Sequence, residues 1–182
     1  LKHQIDFIRN EKSASKRESY LAEMEKVVTL RDAEMNTGNA ILDTVLTSKS
    51  LRCAEEGIVM TCFADAHGMG FIDMMDICSI FGNAIDNAIE CVEKIADKNM
   101  RLIKLTVRTQ NRFLLIRVEN CTDKAIDLNG GQPATTKENK ESHGYGIKSI
   151  RKAAEKYGGC MTLEQQDGWF IMTVLIPLAE EK

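Results

Sequence analysis

Asn83, Asp86, Asn87 and Glu90 share one side of residues 73–96, a stretch that reads as a long amphipathic helix. At about 100° per residue, Ile77, Phe81, Ala84, Ile85, Ala88, Val92 and Ile95 gather on the other side. Asn and Asp are poor helix formers because their side chains compete for backbone hydrogen bonds. A face that only meets water is built more readily from Lys, Glu and Gln. Amide and carboxylate oxygens in this pattern are also what a hard cation such as Mg2+ takes as ligands. Solvated face and cation site are both open readings from this helix alone.

A second group, with Gly144 and Gly146 in His143-Gly144-Tyr145-Gly146, precedes another helical stretch, which runs from about Tyr145 to Tyr157 and stops at Gly158-Gly159. Glycines let a ligand approach the backbone closely, and a helix start offers unpaired N–H groups with a partial positive charge. That is a common cradle for phosphate, although a plain tight turn uses the same residues. Asn120 ends the β-like run RFLLIRVEN, where its amide either begins a turn or reaches into a pocket. His3 lies about 165° from the mean direction of Leu1, Ile5 and Ile8 on a helix, so its imidazole faces water. His67 and His143 read as loop residues, the latter beside the glycine loop.

The elements that must hold these groups follow from periodicity. Residues 1–57 read as a helical hairpin: Leu21, Met24 and Val28 continue the first stripe, and Asn36-Thr37-Gly38 break it. Ile41, Leu42, Val45, Leu46 and Cys53 form the second stripe, and Gly57 stops it. Two such stripes predict dimerisation into a four-helix bundle. Residues 58–182 change pattern. A short strand over 58–63 precedes the long helix, and the runs RLIKLTVRT and RFLLIRVEN follow it. Residues 121–143 are polar and aperiodic, the profile of a lid or binding loop. CMTLEQQ and WFIMTVLIP, joined by Asp167-Gly168, make a closing hairpin. The fold class expected is α+β, a two-layer sandwich of helices on one face of a largely antiparallel sheet, preceded by the helical hairpin.

Composition narrows the function. A chain of 182 residues with 43% hydrophobic and 28% charged residues is globular in balance. A net charge of -3 gives no footprint for nucleic acid. No apolar run approaches the roughly 20 residues of a membrane helix. The chain begins at Leu1 rather than Met, which predicts a piece of a longer protein. The six cysteines are scattered without metal-ligand spacing and read as reduced thiols, mostly in apolar patterns.

Taken in order, the amide-rich helix, the strand-end Asn, the polar loop and the Gly-x-Gly helix entrance resemble the GHKL ATPase superfamily. That superfamily includes histidine kinases, type II topoisomerases, MutL and the large heat-shock chaperone. GNAIDNAIE is similar to its N box, in which the second Asn binds Mg2+, and HGYGIKSI is similar to its second glycine box. RVENCTD stands where most members have Asp-x-Gly-x-Gly, whose Asp contacts adenine. The resemblance covers about residues 58–178 and is closest to the peptide-pheromone and natrium-transport sensor kinases. In that group LKHQI carries the phosphoacceptor His, and Asn commonly replaces the adenine-binding Asp.

The resemblance implies a kinase of a two-component system that uses ATP and Mg2+. His3 would accept the γ-phosphoryl group, and Asn87, with Asn83 beside it, would hold Mg2+. Asn120 would meet adenine, and Gly144 and Gly146 would wrap the phosphates. It also implies a response-regulator receiver domain and a second copy of the chain as partners. The place implied is the cytoplasmic portion of a bacterial receptor, anchored in the membrane only through a region before Leu1. The sequence departs from the pattern at Gln4, where many kinases carry an acid, and at Glu90, where many relatives are basic. The glycines of Asp-x-Gly-x-Gly are also missing. Gln4 favours the runner-up reading, a catalytically weak nucleotide-binding and dimerisation module. A third reading is an anti-sigma-type serine kinase.

Overall fold

Alternating apolar residues give this chain its sheet, and helical stripes give the layer that covers it. The computed structural model describes residues 35–123 and 143–178. The first helix of the expected hairpin, with His3, lies outside them, as do residues 124–142 of the lid expected over 121–143.

Five strands form one sheet in the order β1-β2-β3-β5-β4: β1 Val59–Ala64, β2 Leu102–Gln110, β3 Phe113–Cys121, β4 Cys160–Gln166 and β5 Trp169–Pro177. β1 runs parallel to β2, and every other neighbouring pair is antiparallel. The parallel pair requires a crossover, and α2, Met74–Val92, supplies it. The hairpins close on two-residue turns with positive φ at both positions: Asn111 (48°) and Arg112 (66°), then Asp167 (50°) and Gly168 (78°). Such turns match the right-handed twist of the strands they join.

Ile103, Leu105 and Val107 on β2, Leu114, Ile116 and Val118 on β3, and Met172, Val174 and Ile176 on β5 point to the helical side and are buried. The other face stays open, with Lys104 over the Trp169 ring at 4.2 Å and Arg117 paired to Glu119 at 3.2 Å. α2 covers the sheet with Ile77, Phe81, Ala84, Ile85, Ala88 and Val92. Its N-cap Asp73 accepts from the Met75 N–H at 2.8 Å, satisfying one of the unpaired first-turn donors. The helix ends at Val92, so Ile95 is buried from the segment beyond it.

α1, Ala40–Glu55, is the second helix of the expected hairpin. Its stripe is covered by the sheet domain itself: Leu42, Leu46 and Cys53 belong to the same core as α2 and the sheet. Asn39 caps it, its side-chain oxygen accepting from the Ile41 and Leu42 N–H groups at 3.1 Å. Just before that cap, Gly38 has φ +88°, and a Cβ there would stand 2.7 Å from the His67 ring. Only glycine fits both conditions. Among the described residues no helix is long and apolar enough to cross a membrane. The cysteines are free, as expected, but Cys160 is exposed on β4, the sheet's edge strand.

Candidate functional site

α2 and α3, His143–Lys156, lie against each other and are pinned at the end where α2 starts and α3 finishes. There the Tyr157 hydroxyl donates to Asp76 Oδ2 at 2.6 Å and accepts from the Asp73 N–H at 2.9 Å. Lys156 Nζ donates to the same Asp76 oxygen at 2.6 Å. These donors, Lys156 first and Tyr157 second, hold the Asp76 carboxyl below its ordinary value of 3.8. The clamp fixes how the two helices align, and so what faces the start of α3 eleven residues earlier.

What faces it is the amide side of α2. A Cβ placed on Gly146 would stand 3.4 Å from Asn83 Oδ1 and 3.5 Å from Asn87 Nδ2. The two residue sets expected to converge therefore do so, across a gap that glycine keeps open. The helix begins at His143, so Gly144 and Gly146 sit within its first turn, where the sequence reading had them preceding it. Their position in the first turn keeps them beside the unpaired N–H groups of the helix start.

The two amides are set differently. Asn83 Nδ2 donates to the Ser79 carbonyl at 2.7 Å, which turns its oxygen toward Gly146. Asn87 Nδ2 is buried and has no hydrogen-bond partner among the described residues. A buried unpaired N–H is costly, so this one calls for a partner such as a water, an ion or a ligand group. Half a turn of that amide replaces nitrogen by oxygen without breaking any bond the nitrogen makes. The pair thus suits a hard, oxygen-seeking cation as well as phosphate oxygens. Among the described residues no group of three or more His, Cys, Asp and Glu gathers as a rival metal site.

Asp86 does not join them. Its carboxylate points to α1, receiving Lys49 Nζ at 2.7 Å and Arg52 Nη1 at 2.9 Å. The polar side of α2 is therefore two surfaces, an amide strip facing α3 and an ion-pair strip tying α2 to α1.

Asn120 is 2% exposed and not a surface turn residue. Its Nδ2 donates to the Cys121 carbonyl at 2.9 Å. With Asn87 it supplies the polar lining of a cleft walled by Ala84, Ala88, Val118, Ile147, Phe170 and Met172, about 250 Å3 including its open mouth. The space it encloses is about that of one water, so it is a shallow, largely apolar groove rather than a complete small-molecule pocket. Phe170 faces Asn120 across the β3–β5 pairing. Sequence reasoning missed Phe170, because the sheet order that brings the two together is set by tertiary packing. Ile147 and the two alanines could have been found: Ile147 follows Gly146, and Ala84 and Ala88 each follow one of the two asparagines. His67 lies away from this cleft, in a short 3-10 turn with its Nδ1 2.8 Å from Asp65.

A family model described as a GHKL domain matches residues 72–177, more than half of the chain. The catalytic domain of the histidine kinase ThkA, in a nucleotide-free form, matches with a TM-score of 0.61 at 20% identity, covering 79% of this chain and 93% of that one. A second nucleotide-free form of that domain gives 0.59 at 19% identity, covering 78% and 93%. The Acinetobacter baumannii histidine kinase AdeS gives 0.52 at 16% identity, covering 98% and 93%. At these identities the likeness is one of fold. No curated protein sequence matches the chain.

Proposed function

The chain belongs to the GHKL domain family, and from that premise we propose that it is the cytoplasmic part of a membrane-anchored sensor histidine kinase. Its reaction is ATP-dependent phosphorylation of its own His3, followed by phosphoryl transfer to an Asp of a response-regulator receiver domain. The sensor type is the peptide-pheromone and natrium-transport one. The observation that carries the reading is the meeting of Gly146 with Asn83 and Asn87, beside an apolar groove lined by Asn120.

Each residue then has a task. The cleft takes the adenine ring between Ile147 and Phe170, with Asn120 as its polar contact. The N–H groups of the first α3 turn, at Gly144 and Gly146, receive phosphate oxygens, which the helix dipole favours. Asn87, with Asn83 beside it, would hold Mg2+, which would supply charge neutralisation at the phosphates. His3 supplies the nucleophilic nitrogen. The bond from phosphorus to the β,γ-bridging oxygen breaks as the nitrogen–phosphorus bond forms, and ADP leaves. The rate enhancement comes from positioning and charge stabilisation, since no side chain of the domain bonds covalently to the phosphoryl group. The dimerising segment we assign to the residues before α1, because the α1 stripe is already covered.

Incubation with γ-labelled ATP and Mg2+ tests this directly. The expected result is acid-labile label on the unaltered chain and none on His3→Ala. Acid-stable label, or equal labelling of both proteins, would rule the proposal out.

A further inference from the structure

A thiol that the reaction above leaves unused shares a hydrogen-bond acceptor with Asn120 of the cleft. Cys91 lies one turn beyond Asn87 on α2, and its Sγ makes a long S–H···O contact, 3.9 Å, with the Cys121 carbonyl. The same oxygen accepts Asn120 Nδ2. Asn120, Cys121 and Thr122 are all buried. Burial pushes the Cys91 thiol up, outweighing hydrogen bonds from Asn120 and Thr122 that lower it, so the sulfur keeps its proton and acts as a donor.

A carbonyl oxygen has two acceptor positions, and here a helix thiol and a strand amide approach the same one. A flipped Asn120 would set its own oxygen against that carbonyl, two acceptors with no proton between them. The amide is thereby held with nitrogen toward the backbone, leaving oxygen as the group it offers to a bound ring. A 6-aminopurine carries a donor where a 6-oxopurine carries an acceptor, so a fixed amide oxygen separates the two. A freely turning amide would serve both.

We infer that Cys91 is a positioning residue: by tying the Cys121 carbonyl to α2 it fixes the Asn120 amide, and so sets the preference for a 6-aminopurine over a 6-oxopurine nucleotide. This rests on the nucleotide-binding reading above. It also joins the ring end of the site to the helix that carries Asn87, so the two ends keep a constant spacing.

The test compares Mg2+-ATP with Mg2+-ITP, which differ at purine position 6, by calorimetric Kd on the full chain. The unaltered protein should favour ATP by at least fivefold, about what one mispaired buried polar group is worth. Cys91→Val, which removes the donor at similar volume, should shrink the ATP/ITP ratio roughly three- to tenfold, the worth of one hydrogen bond. Cys91→Ser should restore it. If Cys91→Val does not fold, Cys91→Ala carries the same test. A folded donor-less variant with an unchanged ratio overturns the role of Cys91. Equal binding of ATP and ITP by the unaltered chain overturns the base contact of Asn120 and this inference with it. No ATP binding at all overturns the nucleotide reading itself.

Discussion

Gly146→Ala separates stability from ligand binding, because the structure predicts opposite signs for the two. Gly146 has a helical backbone without positive φ and sits within α3. Its added methyl would meet Asn83 Oδ1 at 3.4 Å and Asn87 Nδ2 at 3.5 Å, ordinary van der Waals distances, so no neighbour has to move. Replacing glycine by alanine inside a helix restricts the unfolded chain and stabilises by about 0.5–1 kcal/mol. For a domain of this size that is a rise in Tm of about 1–4 °C. The same methyl fills the gap through which a ligand reaches the two amides, and it covers the unpaired Asn87 nitrogen. Losing a hydrogen bond to a charged partner costs about 1.5–3 kcal/mol, so Mg2+-ATP should bind about 10- to 150-fold more weakly. Differential scanning fluorimetry without ligand and calorimetry with Mg2+-ATP read the two effects separately. A fall in Tm would show the packing argument wrong, and unchanged ATP affinity would remove Gly146 from the site.

Three other outcomes follow from the contacts around the site. Asp86→Ala removes both ion pairs to α1 and should cost about 0.5–2 kcal/mol in urea unfolding, with the difference shrinking in 1 M salt. It should leave ATP affinity close to that of the unaltered chain, since Asp86 points away from the amide strip. Tyr157→Phe breaks the clamp between α2 and α3 and should cost about 1–3 kcal/mol near neutral pH. Asp76 has a folded pKa below its ordinary 3.8, so its contribution is complete above about pH 4 and is lost as pH falls through the folded value. The gap between unaltered chain and variant should therefore narrow only in acid, and a gap that closes at pH 5–7 would contradict the assignment. Cys53 and Cys62, pushed up to about 11 by burial, should react with alkylating reagents far more slowly than exposed Cys160 at pH 7.5, as mass spectrometry of timed labelling would show.

Much of the fold is legible in the chain because its strands alternate cleanly and its turns carry their own chemistry. RFLLIRVEN and WFIMTVLIP become β3 and β5 within a residue, and Asp167-Gly168 forms the turn its composition predicts. The α2 face is equally plain, since six of the seven apolar positions at helical spacing fall on α2 and have only one way to be buried together. A stripe announces that it will be covered but not by what. Leu42, Leu46 and Cys53 fit a dimer hairpin on spacing alone, yet they complete the core of the sheet domain. The same gap explains Asp86: its class and position match Asn83 and Asn87, and only Lys49 and Arg52 on a neighbouring helix divert it. Asn120 is the harder case, because one amide at a strand end looks the same whether exposed or buried. Its burial depends on β5 lying beside β3, which no local pattern states.

The account's central claim is that the amides of α2 and the start of α3 close on one metal–nucleotide complex, and paramagnetic broadening reads that proximity. In a proton–nitrogen spectrum with Mn2+-ATP, the side-chain amide signals of Asn83 and Asn87 should vanish. Those of Asn111, in the turn at the far end of β3, should persist. Surviving Asn87 signals at saturating Mn2+-ATP, or equal loss at Asn111, would contradict the account.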